Sequence, residues 1–454
     1  MRLCAAAALL FAAFLIIYLP DIGHGFIKDD FGWISGSRVT NAHDVLALFE
    51  HNVGFYRPLV SASFSADYAL WQFNAFGYGL TNLIIFFIDA LLLFRVAGRL
   101  ALSREASLLA VGTWAFNFHG VNMALLWISG RTALLLSMFA LSAALALLNR
   151  RIILAAAFSL LAMLCKEEAV LIPVMFTLID AADQPRALSV DAAWGLVRRY
   201  WLVWLALAVY LALRPHSGAF GPQDAPSYYR FSFSPPTVLR NVFEYLDRAA
   251  TLAVAIALAI LISIRSVRVA LTPTEQLALR FGGAWFVCFY AVTIFMPVRS
   301  SLYAVTPSIG SALAVAAWGS AAQRMCRKRF DTCCAVLTVL IVLLIPIYRA
   351  RNERWVSPAD LSTVVMTRLQ LATAGFTGGE IILIDAPSAQ FGLDGSFGTL
   401  FGDAVRVMIG KDWRGEIRST LSADLVTGAT TSPVRVVLRL LDGRLTPAAN
   451  DVRR

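Results

Sequence analysis

Residues 26–33 read Phe-Ile-Lys-Asp-Asp-Phe-Gly-Trp. They come directly after an apolar run, residues 3–20, which starts behind Arg2 and ends at Tyr18-Leu19-Pro20. A run of that length reads as a membrane span. Asp29 and Asp30 then sit just outside the hydrocarbon, at the foot of a long loop. Two adjacent carboxylates in that place are costly to desolvate, and this points to a chemical task. No A-x-A cleavage site precedes the pair, so the run reads as an uncleaved anchor rather than a signal peptide.

Working outward, long apolar runs recur along the 454 residues, of which 58% are hydrophobic and 15% charged. A soluble core has no use for that much apolar sequence. In lipid only helices or closed barrels satisfy the backbone, and the ten-residue alternation of a barrel is absent. The fold class is therefore an all-α polytopic membrane protein. The expected spans are 3–20, 78–97, 106–119, 125–148, 152–165, 168–180, 200–213, 249–264, 281–297, 302–320 and 331–347. That is about eleven helices, several of them short for a core that needs about 20 residues. Lys166-Glu167-Glu168 interrupts one stretch and reads as a tight turn between two short helices.

The formal charge is +10. The basic clusters are Arg95/Arg99/Arg104, Arg150/Arg151, Arg198/Arg199, Arg265/Arg268 and Arg324/Arg327/Lys328/Arg329. Each flanks a span, and all fall on one side if the N-terminus is cytoplasmic. This is the positive-inside pattern rather than a nucleic-acid surface. Lysine is confined to Lys28, Lys166, Lys328 and Lys411 beside abundant arginine and alanine, which hints at a GC-rich bacterial genome. The expected location is the bacterial inner membrane, in many passes.

An odd number of spans puts residues 348–454 outside as a small periplasmic α/β domain, following a membrane domain over 1–347. Ile381–Ile384, Val405–Ile409 and Val434–Leu441 suggest its strands. The glycine-rich run 392–403 reads as turns, because it lacks the phosphate-loop spacing. Two outer loops are large, 21–77 and 214–248, and both are rich in aromatic residues that suit a membrane interface, sugar rings or lipid head groups. The cysteines Cys4, Cys165, Cys288, Cys326, Cys333 and Cys334 form neither a disulfide framework nor a zinc spacing. His24, His43, His51, His119 and His216 lack helical metal-ligand spacing, so no metal site is assigned; a divalent ion remains a variant testable with chelator.

The motifs occur in a fixed order. The acidic pair Asp29-Asp30 is followed by Tyr56-Arg57-Pro58-Leu59, then Gly77-Tyr78-Gly79-Leu80-Thr81-Asn82-Leu83. His119-Gly120, Trp127-Ile128-Ser129-Gly130-Arg131, Lys166-Glu167, Arg299-Ser300-Ser301-Leu302-Tyr303 and Pro307-Ser308-Ile309-Gly310 complete the set. On these residues the chain resembles the GT-C membrane glycosyltransferases over roughly residues 20–320. Within them it looks like the protein O-mannosyltransferase-like branch, which includes the transmembrane-and-TPR enzymes, though TPR repeats are absent here. Family members often carry His where Phe86 stands, His-Pro at His119-Gly120, and Glu near Met123-Ala124-Leu125. The missing Glu leaves open the acceptor class and whether this copy is active.

The resemblance implies sugar transfer from a polyprenyl-phosphate donor, with Asp29 as general base. The chemistry agrees: outside the inner membrane nucleotide sugars are lacking, and transfer needs one base plus cations for a phosphate that is already a good leaving group. Asp30 would orient Asp29 or share its proton. The bland alternative for the pair is a helix cap or a salt bridge to Lys28 or Arg57. Arg299 and Tyr303, four apart, are expected on one helical face against the lipid phosphate. Arg131 and Lys166 are further phosphate candidates, against simple snorkelling. Arg57 would position substrate, and Glu167 would pair with Lys166. Asp89, mid-span, costs about 2.5–3.5 kcal/mol on insertion scales and is expected to hydrogen-bond another helix. The expected acceptor is a hydroxyl on a protein, lipid or glycan. Rival readings are a flippase for lipid-linked sugars, which would want midplane polar residues and repeats, and a non-catalytic membrane scaffold.

Overall fold

The computed structural model describes residues 3–39, 41–50, 55–181, 190–217, 229–264, 270–374, 379–385, 392–409, 417–420, 435–441 and 444–447. The Arg265/Arg268 cluster, His51 and residues 218–228 of the second loop lie outside them. The chain is a helical bundle. Helix α1 (Leu3–Tyr18) leads to three short helices: α2 (Asp29–Gly36), α3 (Ala42–Glu50) and α4 (Pro58–Trp71). Next come α5 (Ala75–Arg99), α6 (Arg104–Ala115), α7 (Gly120–Leu126), α8 (Arg131–Leu148), α9 (Ile152–Met163), α10 (Ile172–Ala181), α11 (Val190–Arg199) and α12 (Trp201–Leu213). The bundle closes with α13 (Pro235–Ser263), α14 (Pro273–Ala291), α15 (Val305–Leu343) and α16 (Ile345–Ala372).

Among the described residues five stretches are long and apolar enough to cross a bilayer: Cys4–Asp21, Ala75–Arg99, Ile128–Leu148, Pro235–Ser263 and Pro273–Phe295. Ser301–Leu343 with Ile345–Ala372, bent by 48°, makes a sixth if taken as one broken span. Helices α9 and α12 are apolar but short, 12 and 13 residues. The expected spans 302–320 and 331–347 fall on the two halves of α15, which are two helices meeting at Cys326, where the backbone leaves helical geometry (φ −145°, ψ 60°). The basic cluster Arg324/Arg327/Lys328/Arg329 sits at that break, between the two halves. The expected span 125–148 is broken by a 3-10 turn at Ile128–Gly130. Gly130 permits the break, since a Cβ there would lie 2.7 Å from the Ala124 Cα.

Helix α16 carries the chain from the bundle into the C-terminal domain, so the expected boundary at 347/348 falls inside a helix. Its first turns belong to the bundle: the Tyr348 hydroxyl donates to the Phe116 carbonyl (2.7 Å), and Arg349 pairs with Asp21 (2.6 Å). Beyond it lies a four-stranded sheet in the order β2-β1-β3-β4. Its strands are β1 (Glu380–Ile384), β2 (Ile417–Thr420), β3 (Arg435–Leu441) and β4 (Arg444–Pro447). Strand β1 runs parallel to β2 and β3, and β4 is antiparallel to β3.

The strand expected at Val405–Ile409 is instead the end of α18 (Phe401–Met408), preceded by the short α17 (Leu393–Phe397). Apolar residues at 401, 404, 405 and 408 recur at helical spacing, so one face of α18 is apolar. The glycine-rich run is thus two short helices around a turn. Ile381, Leu383, Phe397 and Val405 share one continuous core with Phe26, Phe31 and the bundle.

Candidate active site

Asp29 and Asp30 open helix α2, and the backbone before them is a tight corner. The Asp30 N–H donates to the Ile27 carbonyl (3.0 Å), closing a turn with Lys28 at its first corner (φ 48°, ψ −122°). That is the geometry of a type II′ turn, which favours glycine, so a lysine is strained there.

The two carboxylates then part in role. Asp30 is fully buried. Its Oδ2 accepts from the Ile27 N–H (2.9 Å), and its Oδ1 accepts from both the Ser129 N–H (2.8 Å) and the Ser129 hydroxyl. It fastens the first loop to the Trp127–Arg131 motif. Burial lifts its carboxyl to about 7, against the Ser129 hydrogen bonds that pull it down. Asp29 is exposed and, among the described residues, accepts no hydrogen bond and makes no ion pair. The salt bridge to Lys28 or Arg57 that the sequence allowed is absent. The surrounding protein still raises the Asp29 carboxyl above its ordinary value, with Arg57 and then Lys28 opposing.

The Asp30 assignment predicts a pH signature. A carboxyl raised in the folded state favours folding fully below its unfolded value of about 4. That contribution is lost as pH rises through about 7. Asp30→Asn is expected to flatten this part of the stability curve, measured as thermal melting in detergent across pH. Ser129→Ala is expected to cost about 1–3 kcal/mol by leaving a buried acceptor short of a donor.

Arg57 caps the other side of the loop. It forks onto Glu167 (Nε–Oε2 3.1 Å, Nη2–Oε2 2.7 Å) and lies over Phe55 (4.3 Å). Burial raises the Glu167 carboxyl, but Arg57 outweighs it and the group ends below the ordinary value. Lys166 pairs instead with Glu168 (2.7 Å), so the expected Lys166–Glu167 pair is not formed. Lys166 is buried, which lowers its pKa against Glu168, and its ammonium lies over the Tyr303 ring (4.6 Å). Tyr303 meets Tyr245 edge-on at 6.2 Å.

Arg299 lies in the extended residues before the 3-10 turn Ser301–Ala304, so it does not share an α-helical face with Tyr303. It pairs with Glu244 (2.7 Å), to which Arg240 and Arg248 also bond. Three guanidinium groups share one carboxylate, leaving that surface positive.

Arg131 is not at this surface. Its side chain is fully buried, ion-pairs with Asp67, and donates to Asn82 Oδ1 (2.8 Å) and the Tyr78 carbonyl (3.0 Å). Its ring neighbour is Phe64 (4.6 Å). With its donors committed, it locks α4, α5 and α8 together and is withdrawn as a phosphate ligand. Asp89 is buried on α5, two turns beyond Asn82, and among the described residues neither of its oxygens finds a partner. The expected interhelical hydrogen bond is therefore not formed among the described residues. Glu168 and Glu244 were not singled out from sequence, although Glu244 stands four residues from both Arg240 and Arg248, the spacing of helical ion pairs.

Among the described residues no group of three His, Cys, Asp or Glu stands ready to hold a metal ion. A cavity of about 600 Å³ opens elsewhere, between α1, α5, α6 and α15, lined by Leu10, Phe14, Phe87, Phe116 and Phe330. None of the candidate site residues lines it.

No family model matches the sequence, and no curated protein matches it significantly. Solved structures do. ArnT from Cupriavidus metallidurans in the apo state aligns with a TM-score of 0.51 at 13% identity, covering 93% of this chain and 87% of ArnT. ArnT bound to undecaprenyl phosphate aligns with the same score and identity over 94% and 88%. The archaeal oligosaccharyltransferase AglB from Archaeoglobus fulgidus, in complex with an inhibitory peptide and a dolichol-phosphate, gives 0.46 at 10% identity over 90% and 64%. At this identity the likeness to ArnT is one of fold: the chain is a polytopic helical membrane protein carrying a small C-terminal α/β domain.

Proposed function

We propose that the chain is a membrane glycosyltransferase that moves a sugar from a polyprenyl-phosphate carrier to an acceptor hydroxyl, with Asp29 as the base. The observation that carries this reading is the division of labour in the acidic pair. Asp30 spends its oxygens on Ile27 and Ser129, while Asp29, on the same rigid mount, keeps its carboxylate open. An open carboxylate on a fixed support is what proton abstraction from an acceptor requires. The fold shared with ArnT, solved with undecaprenyl phosphate, supports the donor class.

Asp29 takes the acceptor proton as the hydroxyl oxygen attacks the anomeric carbon. The bond from that carbon to the phosphate oxygen breaks, and its electron pair leaves with the phosphate. A single in-line displacement inverts the carbon. The positive surface at Arg299, part-exposed beside Glu244, suits the departing phosphate. Tyr303, with Lys166 beneath it, forms the neighbouring wall, and Arg57 with Glu167 frames the acceptor side. The face is periplasmic, with the N-terminus cytoplasmic, the membrane domain running into the first turns of α16, and the C-terminal domain outside. The ordered motifs favour the O-mannosyltransferase-like branch.

A base must be ionised to act, and Asp29 is held above its ordinary value. The rate is therefore expected to rise with pH along an acid limb that inflects above the usual Asp range of about 3.9. A pH profile of kcat/KM checks this.

A flippase of lipid-linked sugars is the second reading, favoured by Asp89, whose two oxygens, mid-span, find no partner among the described residues. Purified protein in liposomes, given labelled polyprenyl-phosphate sugars and an acceptor extract, separates the two. A transferase releases free polyprenyl phosphate; a flippase moves the intact donor across the bilayer and releases none.

A further inference from the structure

Helix α2 is eight residues long. A helix that short has little stability of its own, so its position is set by what packs on it. On one side it is fastened through Asp30 to Ser129. On the other side it meets α17 and α18 of the C-terminal domain. The Lys28 N–H, at the strained corner directly before Asp29, donates to the Ser396 carbonyl (2.8 Å). Phe31 stacks on Phe397 with ring centroids 5.7 Å apart, and Phe397 is 1% exposed. Past the far end of α2, the Arg38 guanidinium donates to the Val407 carbonyl (2.5 Å).

The clamp is itself anchored. The Ser396 hydroxyl donates to the Pro358 carbonyl on α16 (2.7 Å), and Phe397 meets Phe401 edge-on at 5.2 Å. Both ends of the Asp29 helix are thus held by a domain distant in sequence, and a strained lysine corner persists because its neighbours fix it.

We propose that Phe397 is a positioning residue, through which the C-terminal domain clamps helix α2 and holds the Asp29 carboxylate in place for transfer. This rests on Asp29 being the base of the proposed reaction. Loss of the Phe397 ring leaves the fold and the donor-binding cations in place but lets α2 shift. Small displacements of a catalytic group are felt in the chemical step rather than in binding.

The test uses the full chain in liposomes. Phe397→Ala is expected to lower kcat about tenfold or more. The donor KM is expected to stay within about twofold of wild type. Amide hydrogen exchange over residues 28–36 is expected to quicken. Phe397→Tyr, which keeps the ring, is expected to restore both. Val437→Ala is the control, because Val437 packs with Ile382 and Ile384 in a separate small core of the same domain. It is expected to leave kcat and α2 exchange unchanged. Wild-type kcat and wild-type exchange in a folded Phe397→Ala protein would overturn the proposal. So would an equal loss in Val437→Ala, which would trace the effect to the domain's general stability. If wild type turns over no donor, the transfer reading fails on its own, while exchange over residues 28–36 still decides whether the clamp exists.

Discussion

Arg131→Met is expected to destabilise the folded chain by about 3–5 kcal/mol, the range for breaking a buried ion pair from one side. The Arg131 side chain is wholly enclosed, with Asp67 as its carboxylate partner. Removing the guanidinium leaves Asp67 buried with, among the described residues, the Thr81 hydroxyl (2.7 Å) alone for compensation, and strips Asn82 Oδ1 and the Tyr78 carbonyl of a donor. The double change Arg131→Met with Asp67→Leu is expected to recover much of the loss, because both charges then go together. Thermal melting in detergent measures all three forms. A single variant as stable as wild type would mean that Arg131 is not the buried tie described above.

Asp29→Asn is expected to lower kcat by about 10²–10⁴-fold, the usual contribution of a general base. The amide keeps the size of the side chain and removes its capacity to accept a proton. Asp29 makes no hydrogen bond or ion pair among the described residues, so stability is expected to hold within about 0.5 kcal/mol of wild type. That pairing of a large kinetic loss with a small stability change separates Asp29 from Asp30, whose three buried hydrogen bonds make stability the larger part of its loss.

Much of the bundle was legible because apolar runs announce themselves. Residues 3–20 and 78–97 fall within helical stretches of the structure, and the turn at Lys166–Glu168 separates α9 from α10 as read. The fall in hydropathy between 302–320 and 331–347 was likewise legible, and the non-helical Cys326 separates two helices there. Val405–Ile409 misled: a short apolar run does not declare its period, and only the spacing back to Phe401 and Ala404 reveals the helix.

At the site, Asp29 and Asp30 were found from their place after the first span, but adjacency could not say which is free. That depends on Ser129, about a hundred residues away. Arg131 and Arg299 looked alike as basic residues near a span end. Burial distinguishes them, and burial of a charged residue is a tertiary property. Phe397 carried no signal at all, because its partner Phe31 lies far off in the chain.

The most direct measurement is release of free polyprenyl phosphate from a labelled donor panel by wild type, Asp29→Asn and Asp30→Asn, side by side in liposomes with an acceptor extract. The result predicted is release by wild type and none above background by Asp29→Asn. Asp30→Asn, which weakens the mount of Asp29 but leaves the base in place, is predicted to retain measurable release per folded protein, between the other two. Equal release by wild type and folded Asp29→Asn would contradict the central claim that the open carboxylate of the pair does the chemistry.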